Sequence, residues 1–142
     1  MRLRLGYPDK RAERELLEMN TERDKIDNVQ QCLSTEDVAK FRKHSAEVSA
    51  SGALLDYVQR LILYTRGADN FHFGLSPRGS LAVMRAAKTW ALMCGRNHVV
   101  PEDVQTILPA VAEHRLRANS DEDGHTGAAL VQRLLNEVDV IE

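Results

Sequence analysis

The clearest pattern in the chain lies between residues 52 and 66. Leu54, Leu55, Val58, Leu61, Ile62 and Thr65 fall on one side there, and Asp56, Gln59, Arg60 and Arg66 on the other. That spacing predicts an amphipathic helix. A longer run over residues 77–93 places Leu81, Met84, Ala87, Ala91 and Cys94 in one core-facing stripe. Ala82 and Ala86 leave room for a second helix, and Gly95 is placed to end the run in the left-handed conformation. Ser34 opens an earlier helix as its N-cap. Asp37 sits at the capping-box position, Leu33 is placed to pack against Val38 across the cap, and Val38, Phe41 and Val48 form the apolar face. Pro101, Glu102 and Asp103 start a further helix with proline first and acids in the opening turn. Pro109 is expected to end or kink it near Leu108 before a second segment reaches Leu116. Leu130, Leu134, Leu135 and Val138 mark a last helix over residues 128–138, and residues 8–19 read as a charged first one. Residues 20–31 read as a polar connection and residues 119–127 as an acidic, glycine-containing loop.

Strand signals are slight. Leu3 and Leu5 alternate with Arg2 and Arg4 until Gly6, Tyr7 and Pro8 intervene. One short strand needs neighbours, so residues 1–7 read as the last strand of a sheet lying upstream, followed by a hinge. Phe71 and Phe73 flank His72 with the same alternation and are expected to pair with the chain around Val48. The fold class is therefore mainly α: a bundle of five or six helices over residues 8–142 with at most a minor β pairing.

A chain of 142 residues is long enough for one ordinary domain without disulfide or metal support. Its net charge of -2 argues against neutralising a nucleic-acid backbone, yet leaves room for a local phosphate site. Cys32 and Cys94 lack paired spacing and are expected to be buried, reduced thiols of a cytoplasmic protein. No apolar stretch approaches the ~20 residues of a membrane span, and residues 1–5 are too short and too charged for a secretory signal.

The familiar catalytic motifs are absent from the sequence. It has no Gly-x-x-x-x-Gly-Lys-Ser/Thr phosphate loop, and no hydrophobic strand ends in the adjacent acids that hold magnesium. His44, His72, His98, His114 and His125 lack metal-ligand spacing, and Asp121, Glu122, Asp123 and Gly124 are only a fragment of a calcium loop. No metal site is expected. One arrangement stands out. Ser76 is a natural N-cap, Pro77 suits the first helical position, and Arg78 then falls in the first turn of the alanine-rich helix. A cation at this positive end forgoes about 0.3–1 kcal/mol. Taken alone, Arg78 fits a solvated arginine; with an incoming phosphate, its guanidinium and the free N–H groups face the same anion.

Several segments together resemble one family. They are Gly6-Tyr7-Pro8-Asp9, Leu55-Asp56-Tyr57, Thr65-Arg66, Gly74-Leu75-Ser76-Pro77-Arg78-Gly79-Ser80-Leu81, Arg85-Ala86-Ala87-Lys88, Gly95-Arg96, Val100-Pro101-Glu102-Asp103-Val104 and His114-Arg115-Leu116. Their order and spacing are similar to those of the C-terminal lid of MoxR-type AAA+ ATPases. Leu75 and Gly79 stand where that family usually carries alanines, and Val100 where it carries a threonine. The resemblance implies a AAA+ lid-type bundle over residues 8–142, with residues 1–7 as the last strand and hinge of a AAA+ core. It implies that Arg78 is the catalytic, sensor-2 arginine, that Ser76 and Arg78 face the terminal phosphate of ATP, and that Tyr7 and Pro8 lie near the adenine. Magnesium would be bound by the core, so the parent protein is expected to be an ATP hydrolase and this chain alone inactive. The family forms hexameric rings with chaperone-like remodelling or metal-cofactor insertion as its work, often on partners with von Willebrand factor A domains. A second reading is a nucleotide-independent helical interaction module. Residues 76–104 also look like the latter half of a histone fold, which would dimerise.

Overall fold

The computed structural model describes residues 1–18, 29–67, 71–118 and 127–141. Among these residues six helices and one small β ladder follow in the order α1 (Lys10–Glu18), α2 (Thr35–Glu47), α3 (Gly52–Gly67), β1 (Phe71–Phe73), α4 (Pro77–Met93), α5 (Pro101–Ala112), β2 (Arg117–Ala118) and α6 (Gly127–Glu137). The mainly α architecture read from the sequence is borne out. Of the connection expected over residues 20–31, residues 20–28 lie outside the described residues, as do residues 119–126 of the loop expected over 119–127, whose last residue, Gly127, opens α6.

Local chemistry explains most of the helix boundaries. The Asp9 carboxylate accepts the Ala12 N–H at 2.8 Å and caps α1, which buries no residue and carries Arg11–Glu15 and Arg14–Glu18 pairs on its surface. At α2 the expected capping box is complete: Ser34 Oγ accepts the Asp37 N–H at 3.1 Å and the Asp37 carboxylate accepts the Ser34 N–H at 3.0 Å. Gly95, at φ 75°, closes α4. The Gly95 N–H bonds Leu92 O and the Arg96 N–H bonds Ala91 O, both at 2.9 Å, which is a Schellman closure.

The core lies where α3, α4, α5 and α6 meet, and α4 against α5 is its most extensive interface. Tyr57, Leu61, Val83, Val104, Leu108 and Leu134 are among its fully buried side chains. Ala87 and Ala91 are buried as expected. Leu81 and Cys94, assigned to the same stripe from the sequence, are exposed, because the buried face of α4 is centred on Val83 instead. Val48 is buried at the end of α2, but Leu33, Val38 and Phe41 remain exposed, and α2 itself buries no residue. Leu55 is likewise exposed, and Tyr57 takes its expected place in the core.

Three further expectations are corrected. Phe71 and Phe73 pair antiparallel with Ala118 and Arg117, while the chain beside Val48 bridges His98 through Ser49. The α5 helix, expected to end or kink near Leu108, does not end there; it continues past Pro109 to Ala112, with Val111 and Ala112 buried in its last turn. Cys32 and Cys94 are free thiols but both are exposed.

Candidate functional site

The segment before α4 is fastened to the end of α3. Thr65 Oγ1 accepts the Leu75 N–H at 3.0 Å, and Arg66 Nε donates to the Leu75 carbonyl at 2.9 Å. Gly74 passes so close that a β-carbon there would overlap the Thr65 carbonyl and lie 2.8 Å from Arg66 Cγ. Ser76 then caps the helix: its Oγ accepts the Gly79 N–H at 3.2 Å, and Pro77 occupies the first helical position. Arg78 follows, with its backbone N–H in the unsatisfied first turn. Its side chain is exposed and has no carboxylate or hydrogen-bond partner among the described residues.

Arg78 lines a depression of about 490 Å³ together with Pro77, Leu81, Ala82, Arg85 and Arg115. Among the described residues three arginines and no carboxylate line this space. The field of the α4 amino terminus has the same sign, so an anion entering here meets favourable charge from the described residues that line it. A larger depression of about 580 Å³ beside the Ser49–His98 bridge is lined mainly by apolar side chains, without arginine, lysine or carboxylate. Charge therefore singles out the smaller one.

The expected site residues do not all converge. Ser76 and Arg78 share the α4 amino terminus. Tyr7 and Pro8 are exposed and do not line the arginine-rich depression. Residues 1–9 form no regular element; they run beside the end of α5, where the Arg2 N–H bonds Ala110 O at 2.7 Å and Arg4 pairs with Glu113 at 2.9 Å. Arg85 and Arg115 were not identified as site residues from the sequence. Arg85 had a readable signal, since seven residues from Arg78 is two helical turns on one face. Arg115 had none nearby, because the β1–β2 pairing brings its turn to α4. Among the described residues no group of His, Cys, Asp and Glu could hold a metal ion, and no helix is long and apolar enough to cross a membrane.

The AAA lid domain family matches residues 63–134, from the second half of α3 through most of α6. The chain belongs to the AAA lid domain family. This lid is 34% identical to the chaperone MoxR1 of Mycobacterium tuberculosis over 125 residues, which is 81% of the chain and 32% of MoxR1. It is 28% identical to the uncharacterized protein YeaC of Bacillus subtilis over 141 residues, covering 98% of the chain and 44% of YeaC. A crystal structure of a candidate ATPase from Cytophaga hutchinsonii superposes with a TM-score of 0.80 at 25% identity, over 97% of the lid and 45% of that protein. The lid thus spans less than half the length of each of these relatives, and the MoxR-type resemblance of its motifs is borne out.

Proposed function

We propose that this lid senses the terminal phosphate of ATP through Arg78 and turns its loss on hydrolysis into movement. In this reading a AAA+ core domain holds most of the nucleotide and its magnesium, and the lid closes over the phosphates from the α4 side. The observation that supports it is the Arg78 guanidinium, unpaired among the described residues, beside a capped helix amino terminus and in a depression that the described residues line with two further arginines and no acid.

The chemistry follows from charge. In phosphoryl transfer, negative charge spread over the equatorial oxygens of the transferring group must be stabilised, and a positioned arginine can contribute about 10³–10⁵-fold in rate. Arg78 is held for this by its backbone: the Thr65–Leu75 and Ser76–Gly79 bonds fix the first turn from which its side chain extends. Once the terminal phosphate leaves, the contact between lid and core is lost and the lid is free to rotate as a body. Gly6, at φ 75° in the left-handed region, is the natural pivot. Tyr7 and Pro8 beside it would contact the adenine. In a hexameric ring this rotation would do chaperone-like remodelling, or insertion of a metal cofactor, on a client protein. The chaperone name of MoxR1 supports the first of these.

The deciding experiment is Arg78→Ala in the complete protein that carries the core. Turnover should fall by about 10³-fold or more while nucleotide binding persists. Hydrolysis at the wild-type rate with normal binding would remove Arg78 from the mechanism.

A further inference from the structure

Arg115 is brought to the α4 amino terminus by contacts remote from Arg78 in sequence. Its N–H bonds Ala112 O at 2.8 Å, the Leu116 N–H bonds the same carbonyl at 3.1 Å, and Leu116 is buried, so the turn after α5 is fixed. Arg117 then pairs with Phe73 in the β1–β2 ladder, which sets this turn beside the residues leading into Ser76. The half-buried Arg115 side chain lies across the first turn of α4. Its Nη1 is 3.6 Å from the point a β-carbon of residue 79 would occupy, and Ser76 Oγ is 3.6 Å from the same point.

The orientation of this guanidinium is specific. Its Nε donates to His114 Nε2 at 3.3 Å, and its terminal nitrogens have no acceptor among the described residues. The neighbouring carboxylate, Glu113, pairs with Arg4 instead. A half-buried cation held next to another arginine and to the positive end of a helix is unfavourable until a multiply charged anion arrives. The free edge of its planar fork suits the paired oxygens of a phosphate.

We infer that Arg115 is a second phosphate-gripping arginine, reaching the same polyphosphate as Arg78 from the turn between α5 and β2. This rests on the reading of the depression as the face turned to the nucleotide, and extends it from one sensing arginine to a pair on separate elements. The pair recognises a polyphosphate rather than a single phosphoryl group, and its grip loosens when the terminal phosphate departs.

The test uses the complete protein with its core, a non-hydrolysable ATP analogue and ADP, both with magnesium. Arg115→Ala should weaken the analogue's Kd by about tenfold or more, the loss of one charged hydrogen-bonding contact. It should weaken ADP less and reduce the rise in melting temperature that the analogue produces. Arg115→Lys, which keeps the charge and loses the fork, should recover part of the affinity, whereas Arg115→Gln should not. Affinity within twofold of wild type for Arg115→Ala, with Arg78→Ala still impaired in turnover, overturns the role of Arg115 and leaves that of Arg78 standing. If neither variant changes binding or turnover, the reading of the whole depression falls. A melting temperature lowered without nucleotide, combined with unchanged affinity, assigns Arg115 a structural role and also overturns the proposal.

Discussion

Thr65 and Leu75 are joined through one buried hydroxyl: Thr65 Oγ1 donates to the Ile62 carbonyl at 2.7 Å and accepts the Leu75 N–H at 3.0 Å. The end of α3 is thereby tied to the segment that presents Ser76 and Arg78. Thr65→Val keeps the volume but leaves the buried Leu75 N–H without an acceptor, which should cost about 1–3 kcal/mol. Urea denaturation of the chain measures the loss. Amide exchange at Leu75 should quicken in the variant, and a rate equal to wild type would show that the hydroxyl is not what holds this segment.

Two glycines five residues apart should respond to alanine with opposite signs. At Gly74 a methyl group would overlap the Thr65 carbonyl and press on Arg66 Cγ at 2.8 Å. Displacing backbone in this way should destabilise by about 1–3 kcal/mol. At Gly79 the nearest atoms would be Leu75 Cδ2 at 3.4 Å and Arg115 Nη1 at 3.6 Å, which is ordinary contact. Gly79→Ala should therefore stabilise α4 by about 0.5–1 kcal/mol, the usual gain inside a helix. Thermal melts of the two variants decide the matter, and equal signs would contradict the packing described for the α4 amino terminus.

What could be read from the sequence was what depends on neighbours within about four residues. The Ser34–Asp37 box, the Ser76–Pro77 helix start and the Gly95 closure all appear as expected, because capping is settled by residue type and short spacing. Partners distant in the chain were not legible. The pairing of Phe71 and Phe73 with Ala118 and Arg117 crosses the whole of α4 and α5, and no local signal favours it over pairing with the chain near Val48. Arg115 was missed as a site residue for the same reason. The exposed Leu81 shows a different limit: period alone leaves the centre of a helix's buried face uncertain by a residue or two, and here packing chose Val83. Pro109 shows tertiary burial overriding a local breaker.

The buried Asp103 should make the bundle sensitive to acid. Its carboxylate is gripped by both terminal nitrogens of Arg96 and accepts the Val100 N–H at 2.9 Å, closing the start of α5 where Val100 offers no side-chain cap. The Arg96 hydrogen bonds hold the Asp103 pKa below its ordinary value of 3.8, against the opposing effect of burial, with help from the Val100 N–H. A carboxyl with a lower pKa in the folded than in the unfolded chain stabilises the fold while ionised. That contribution is complete above the unfolded value and disappears as pH falls through the folded one. Asp37, lowered by its bonds to Ser34, acts in the same direction, so a comparison is needed to isolate Asp103. Asp103→Asn should be less stable than the parent chain at about pH 6, with the gap narrowing as pH is lowered to about 3. Denaturant titrations at the two pH values measure that gap, and a difference that stays constant or widens in acid would mean that ionised Asp103 does not hold α5 in place.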